Sequence, residues 1–589
     1  MSELATKRLA RYKQLKQIKS HIVPWYQDLA ELFLTRKADF TSESGRWQMT
    51  QFLQDKIFDN VGQYALFVQA STFLSYLWPD SSRTFNLVPS RRLRDKPGVE
   101  EFFKFFNEET HAYMDKPRAG LQMALMETFL EEGAFGTGGL GTFEGPKDDP
   151  DLPVVYESWN IKSMHISENA QGYVDTIYYE PPLTVRQAME EYGPNSTKHV
   201  GAKVSARLVE LSKDVAKLDE PYKVLICIEP KTPEKGKRGV AAMRYQTLHI
   251  DVEAKMVMWR GGFEENPVAV VRQFKWTGMP YGMSSAMLAY ADTASRNVLA
   301  EAILVATEKQ LRPPIVVIDA GRLGGAVVDT SAGGLTVLND SGRLGGEKPI
   351  YPLFTVGEMQ SADKLFERLG DQIMQAFFLD RLLDLNNQAQ MTAFETSVRN
   401  RLRGESLNSV FSRQINEGLV PTIERTVNVL WRRGHYGMVS TGAGAWLRRK
   451  WAELLGDEQS LVPEIIIQAV EANLDWFEIE FISPAQRFMQ AEKLQGIFTA
   501  SDAIVGLAAV HPTIVHAQKP YDLARDIYKY SGAPATSLAT KKEFDTSVAA
   551  DGERQQAADL LQAGDVAAGM AQKTAQARAS MGTAKPSGR

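Results

Sequence analysis

Met391-Thr-Ala-Phe-Glu-Thr-Ser-Val-Arg-Asn-Arg-Leu-Arg-Gly-Glu405 opens a run that continues to Trp431 without a strong break. Over 392–433 it predicts a single helix of roughly forty residues, against a usual length of about twelve. Phe394, Val398, Leu402, Leu407, Phe411, Ile415, Leu419, Ile423, Val427 and Trp431 step mostly by four. A helix turns every 3.6 residues, so a step of four drifts by about 40° each time. The apolar stripe therefore winds around the rod. A helix on the outside of a globule needs only one apolar face. A winding stripe predicts neighbours on several sides, from the same chain and from adjacent copies.

Working outward, Asp384-Leu-Asn-Asn-Gln-Ala-Gln390 is a short polar loop just before this rod. Val356–Leu383 precedes it, a helical pattern with Leu365, Leu369, Ile373 and Phe377 at four-residue steps. Before that lies a glycine-dense stretch in which Gly321-Arg-Leu-Gly-Gly325 recurs as Gly342-Arg-Leu-Gly-Gly346, which predicts a compact β insert with tight turns. Met283–Leu311 is another long helical pattern, stopped by Arg312-Pro313-Pro314. Met287, Ala291, Ala294, Val298, Ala302 and Val305 share one face of it. Two helices joined by a small insert are expected to run antiparallel, with the insert at one tip and the polar loop at the other.

The first 280 residues read as a mixed α+β domain. Helices are expected over 3–37 with a break at Pro24, and over 46–78, 97–115, 119–132, 184–192 and 203–217. Strands are expected at Thr84–Pro89, Leu140–Glu144, Val154–Trp159, Ser163–Ser167, Val174–Tyr179, 222–229, 243–251 and 255–260, with Glu168–Gly172 as a hairpin turn. After Gly434 the elements shorten, with a strand at Trp476–Ile482 and a helical region over 485–530. Beyond Ser531 the chain is rich in Ala, Gln, Gly, Ser and Thr, a composition that buries little apolar area by itself.

The bulk numbers narrow the function. A chain of 589 residues is long enough for three or four structural units. Its net charge of −5 argues against a surface that grips nucleic acid tightly throughout. A single cysteine, Cys227, forms no internal disulfide and reads as a small buried strand residue. The N-terminus lacks the apolar core of a signal peptide. The most apolar stretch, Ser284–Glu308, is interrupted by Asp292, Arg296 and Glu301, so no bilayer span is expected.

Catalytic and metal signatures are weak. Gly136, Gly138, Gly139 and Gly141 follow a helix and precede a strand, the reverse of a nucleotide-binding loop, and no Walker-type motif occurs. Asp148-Asp149-Pro150-Asp151 lacks the further ligands of a cation loop. His511 and His516 do not share a helical face, so no zinc pair is expected. No enzyme activity, cofactor or metal is expected.

Four stretches in order carry a resemblance. They are Glu132-Gly-Ala-Phe-Gly-Thr-Gly138 with the strands turning at Gln171-Gly-Tyr-Val-Asp-Thr-Ile-Tyr-Tyr179 and Leu183-Thr-Val-Arg-Gln187; Tyr281-Gly-Met-Ser-Ser-Ala286 leading to Arg312-Pro-Pro314; Met391-Thr-Ala-Phe-Glu-Thr-Ser-Val-Arg399; and Phe481-Ile-Ser-Pro-Ala-Gln-Arg487. Over roughly 10–530 the chain resembles the portal, or head-to-tail connector, proteins of tailed bacteriophages, and within them the short-tailed, T7-like type.

The resemblance implies a predominantly helical, mixed α+β portal fold. Residues 1–280 would form a wing, 281–311 and 355–383 the stem helices, and 312–354 a small β clip. The channel loop would be 384–391, the long wing helix 392–433, the wing return 434–482 and the crown 483–530. The tail, 531–589, would be a barrel helix or a disordered end. It implies a ring, usually of twelve copies, at one capsid vertex, through which double-stranded DNA is packaged and ejected. The implied partners are the terminase large subunit, a tail adaptor, and the major capsid and scaffolding proteins, with no membrane. A virion location after assembly in the host cytoplasm follows. A ring- or fibre-forming adaptor that conducts no DNA is the chief alternative, and a hydrolase with a mixed α/β core is a third.

On that reading Asn386, Asn387, Gln388 and Gln390 face the bore. Uncharged amides touch phosphates without the salt-dependent grip of lysine or arginine. An ordinary helix connection is the other reading of this loop. Arg381, one turn earlier, either faces the bore or pairs with Asp380 or Asp384. Arg399, Arg401 and Arg403 share an arc that either bridges to a neighbouring copy or is solvated. Arg322, Arg343 and Lys348 would lie on the clip, where motor and adaptor dock, unless the repeat is turn chemistry alone.

Overall fold

The computed structural model describes residues 3–37, 40, 56–79, 83–94, 96–146, 149–196, 198–234, 239–311, 315–317, 350–352, 360–382, 410–436, 462–472, 474–482, 496–507, 519–531, 538–539, 543–551, 554 and 573. The chain divides into two units, one of 1–84, 108–462 and 483–488, the other of 85–107, 463–482 and 489–589.

α1 (Glu3–Ser20) and α2 (Val23–Phe33) part where Pro24 opens α2, a position whose N–H would be unpaired in any case. α3 spans Val61–Leu77; of the helix expected over 46–78, residues 46–55 lie outside the described residues. Residues 56–60 are not helical because Asn297 Oδ1 takes the N–H groups of Phe58 and Asp59 at 2.8 and 3.2 Å. β1 (Phe85–Pro89) and α4 (Val99–Met114) are followed by α5 (Leu121–Phe135), which is buried along most of its length.

Next come β2 (Thr137–Glu144), β3 (Val154–Trp159), β4 (Met164–Glu168), β5 (Val174–Tyr179), β6 (Leu183–Thr184) and α6 (Val185–Tyr192). α7 (Ala206–Lys213) stops short of the predicted 217, because the Asp214 side chain accepts the Ala216 N–H and turns the chain. Then follow β7 (Pro221–Tyr222), β8 (Val224–Pro230), β9 (Tyr245–Asp251), β10 (Met256–Phe263) and β11 (Val268–Arg272), the last unforeseen in the sequence.

Two antiparallel sheets organise this region. One runs β10-β9-β8-β5-β4, the other β11-β2-β3. Alternate residues of the first sheet serve opposite faces. Leu225, Cys227, Leu248 and Ile250 meet Tyr12 and Leu15 of α1, while Val224 and Met258 meet Val185, Ala188, Tyr192 and Leu208 of α6 and α7. Lys19, at the end of α1, is fully buried, and its Nζ donates to the carbonyls of Ile161, Lys162 and Met164.

α8 (Ser285–Leu311) leads to β12 (Ile315–Val317), which pairs antiparallel with β13 (Ile350–Pro352) ahead of α9 (Gln360–Ala376). Gln69 of α3 donates to Ser285 Oγ at 2.9 Å and to the Phe377 carbonyl at 3.2 Å, so the start of α8 lies beside the end of α9. Farther along, Arg296 of α8 meets Phe366 and Gly370 of α9. The two helices therefore run antiparallel. Phe378, at φ 60°, breaks the predicted 356–383 helix before α10 (Leu379–Leu382).

α11 is described over 410–433 and is not uniform; the first part of the expected rod, 392–409, lies outside the described residues. Gln414–Leu419 is π-helical, and the Val420 N–H bonds to the Ile415 carbonyl. Pro421 sits just beyond. A proline inside an α-helix removes a bond and collides with the carbonyl four residues earlier. The widened turn is the local answer to that conflict, which the reading of an unbroken rod overlooked. Gly434, at φ 81°, closes the helix.

In the second unit β1 pairs antiparallel with β14 (Phe477–Phe481), after α12 (Glu464–Glu471). Asn107 Oδ1 accepts the Leu87 N–H and its Nδ2 donates to the Leu87 carbonyl, both at 2.7 Å, which caps the free edge of β1. Phe102 stacks on Phe106 of α4, Phe103 meets both rings edge-on, and Phe106 also packs on Trp476 and Phe477. Helical backbone recurs at 496–507, in α13 (Pro520–Ser531) and at 543–551.

Candidate functional site

The described residues concentrate their buried polar chemistry in the first unit, where α5, β2, β11, α8 and α11 meet. Leu121–Phe135 ends at Gly136, whose φ of 79° lets the chain reverse straight into β2. A Cβ there would strike the Gly282 carbonyl, because the two backbones touch. Gly138 lies against Thr128, Gly139 against Met164 and Gly141 against the Phe143 ring. These glycines give close packing of β2, as a structural turn requires.

Arg272, at the end of β11, is 1% exposed. It donates from Nε and Nη2 to the two carboxylate oxygens of Glu417 in the π turn, at 3.0 and 2.9 Å. It also bonds Glu168, and Nη2 reaches the Gly172 carbonyl at 3.1 Å. Lys275 joins the same hairpin turn through Glu168 at 2.8 Å and Gly172 O at 2.6 Å. Arg413 adds a second cation to Glu417 at 2.8 Å. A charge out of water needs partners to survive burial, and here each has them. The result ties the β4–β5 turn, β11 and α11 into one body.

On the other side of the same turn Gln414 donates to Glu132 Oε1. Both residues are about 1% exposed, and burial pushes the Glu132 carboxyl up to about 8. Gln273 and Gln69 both donate to Ser285 Oγ at 2.9 Å, fixing the start of α8. Arg296, deep in α8, donates to Asp59 at 2.8 Å and lies 3.7 Å from the Phe366 ring centre. Gly370 leaves the room its guanidinium occupies.

The far half of α11 is held as firmly. Arg425 is 1% exposed, and its Nε donates to the Thr142 carbonyl at 2.7 Å and its Nη1 to Glu265 at 3.0 Å. Burial lowers it to about 10. Thr426 meets the Tyr156 hydroxyl at 2.8 Å, and Tyr436 meets Thr110 at 2.8 Å. The arrangement is a brace, with ion pairs closed on themselves and side chains turned away from solvent. No group of three potential metal ligands occurs among the described residues, and no described helix is long and apolar enough to cross a membrane. Cys227 lies buried on β8, and burial raises its thiol well above the usual range.

Of the residues singled out in the sequence, Arg381 is described. It is half-exposed, with Nε 3.8 Å from Asp380 Oδ2. Asn386, Asn387, Gln388, Gln390, Arg399, Arg401, Arg403, Arg322, Arg343 and Lys348 lie outside the described residues, as do His511 and His516. Asp149, of the acidic run, bonds Arg118 at 2.8 Å. Sequence reading missed the brace. Its signal was polar residues inside apolar patterns: Arg272 after Val-Ala-Val-Val, Glu417 within the long-helix stripe and Arg296 within α8.

The sequence matches the family described as bacteriophage head to tail connecting protein over residues 5–436. The chain belongs to this family, the portal-type structural proteins of the phage head–tail connection. It is 24% identical over 425 residues to a probable portal protein of Bordetella phage BPP-1, covering 71% of this chain and 73% of the relative. It is 24% identical over 449 residues to the portal protein of Salmonella phage epsilon15, covering 74% and 76%. A chain from the virion of a native gene transfer agent particle aligns over 75% of this chain and 99% of its own, at 13% identity and a TM-score of 0.30.

Proposed function

We propose that copies of this chain close into a ring, twelve by the family expectation, at one vertex of the capsid, and that DNA passes through its bore during packaging and ejection. The observation that carries the ring is the outer face of α8. Leu288, Ala291, Ser295, Val298, Ala302 and Val305 are all exposed and spaced alternately by three and four residues. That is the spacing of a helix-packing seam, and Val298 is 64% exposed. Exposed apolar stripes of this kind mark an interface. A closed ring repeats one heterologous contact around its axis, so each copy offers such a face to the next.

In this reading α8 and α9 are the stem, with β12–β13 at the clip end. Asn386, Asn387, Gln388 and Gln390 line the narrowest part of the bore, with Arg381 near it. Arg399, Arg401 and Arg403 bridge to the neighbouring copy. Arg322, Arg343 and Lys348 present the clip to the terminase large subunit and the tail adaptor, while capsid and scaffolding proteins surround the ring. A short-tailed, T7-like virion belongs to the same reading. Twelve copies at −5 each give 12 × −5 = −60, which suits a sleeve that lets DNA slide.

Negative-stain microscopy of the purified full-length protein tests this. The expected image is a ring with an open bore of roughly 20–40 Å, wide enough for a duplex whose major groove is about 12 Å across. Val298→Asp with Val305→Asp should leave folded single copies. Compact monomers of the unaltered protein, a closed disc, or tight binding of duplex DNA at physiological salt would contradict it.

A further inference from the structure

Glu132 and Gln414 make one hydrogen bond and lack another. Gln414 Nε2 donates to Glu132 Oε1. The remaining two oxygens of the pair, Glu132 Oε2 and Gln414 Oε1, are both buried and both without a partner. If the carboxyl is ionised, each of those atoms is an acceptor only, and two buried acceptors go unpaired. An unsatisfied buried acceptor is costly, and an unpaired buried charge more so. One added hydrogen removes both faults.

We infer that Glu132 carries a proton in the folded protein and closes a ring of two hydrogen bonds with the Gln414 amide. Its Oε2–H donates to Gln414 Oε1 while its Oε1 accepts from Gln414 Nε2. The proton is thus a structural part of the π turn Gln414–Leu419. Its loss to solvent sets acceptor against acceptor and loosens that turn from α5.

The surroundings favour the neutral acid. α3 contributes no charged residue at all, and its facing group is the Gln69 amide. Buried Ser284 and Ser285 stand at the start of α8. On α5 itself, Glu131 turns to Lys37 and to the Ile161 N–H. From α11, Arg413 and Glu417 act in opposite directions on Glu132, and both are taken up with each other at 2.8 Å. Arg272 of β11 is held by Glu168 and Glu417. Burial raises the carboxyl to about 8. A raised carboxyl stabilises the fold fully below its unfolded value near 4.5 and loses that contribution as pH rises toward 8.

The test uses the full-length protein and Glu132→Gln, an amide that keeps both hydrogen bonds without a proton to lose. At pH 6 the infrared spectrum of the unaltered protein minus that of E132Q should contain the carbonyl band of a protonated carboxyl, and the band should fade above about pH 8. Between pH 6 and 9 the unaltered protein should lose more in Tm than E132Q does. At pH 9 its 410–420 segment should exchange amide hydrogens faster than the same segment of E132Q. No band at pH 6, parallel Tm profiles, or an E132Q chain that does not fold would each overturn the inference.

Discussion

Arg272 grips both carboxylate oxygens of Glu417, at 3.0 and 2.9 Å, from a position 145 residues earlier in the chain. The pair joins the end of β11 to the π turn Gln414–Leu419 of α11. Because the arginine is fully buried and also bonds Glu168, removing it takes a partner from two carboxylates at once, leaving Glu168 to Lys275 and Glu417 to Arg413. Arg272→Met should cost about 3–5 kcal/mol, the range for breaking a buried ion pair from one side. Denaturant unfolding of the full-length protein measures it. A loss below about 1 kcal/mol would show that the pair does not anchor the turn.

Gly136 and Gly282 touch through their backbones, and Gly136 holds φ 79°. Gly136→Ala adds a Cβ in a left-handed conformation against a carbonyl that cannot rotate away. The conformational term is about 1–2 kcal/mol and the overpacking term about 1–3 kcal/mol. The variant should be recovered largely in the insoluble fraction, or melt well below the unaltered protein. Normal yield and melting would mean the two backbone segments can separate at this point without penalty.

His199 and His249 are buried side by side, ring centres 4.6 Å apart, with Tyr192 donating to or accepting from His249 Nδ1 at 2.7 Å. Burial pulls His199 down to about 4 and His249 well below its usual value. A depressed histidine stabilises the fold above its unfolded value near 6.5 and loses that contribution as pH falls toward 4. For His199 the shift corresponds to about 3 kcal/mol. Acidification from pH 6.5 to 4 should therefore release the packing of α6 on the β9–β10 strands, read as faster amide exchange over 185–200. His199→Phe should flatten that pH dependence, and an unchanged dependence would assign the acid sensitivity elsewhere.

Asn107 closes the open edge of β1 by bonding both backbone groups of Leu87 at 2.7 Å. Asn107→Leu keeps the volume and removes both partners. Leaving a buried N–H and C=O unmet costs about 1–3 kcal/mol each. Amide exchange over 85–89 and 477–481 should rise together, because the two strands form one pair. Exchange confined to 85–89 would contradict that coupling.

Much of this architecture was legible in residue order. The strands at 154–159 and 174–179, the helix at 184–192 and the long pattern ending at Leu311 appear where periodicity and turn residues place them. β11 escaped notice because Val-Ala-Val-Val is too short to distinguish from a buried loop, and its pairing with β2 is a long-range fact. The π turn escaped because the step of four runs smoothly through Ile415 and Leu419, although Pro421 was the visible warning. The brace was the least legible part. Arg272 and Glu132 lie far in the chain from Gln414 and Glu417 and meet them only once β11, α5 and α11 pack. Arg296 and Asp292 interrupt an apolar run, and for Arg296 that polarity is the point, since it reaches Asp59 and Phe366.

The mass of the native full-length assembly is the most direct test of the ring. Twelve times 65.7 kDa is about 790 kDa, and native mass spectrometry of the purified protein should give a species near that value with an open ring in matched images. A single species at 65.7 kDa across micromolar concentrations would contradict the account.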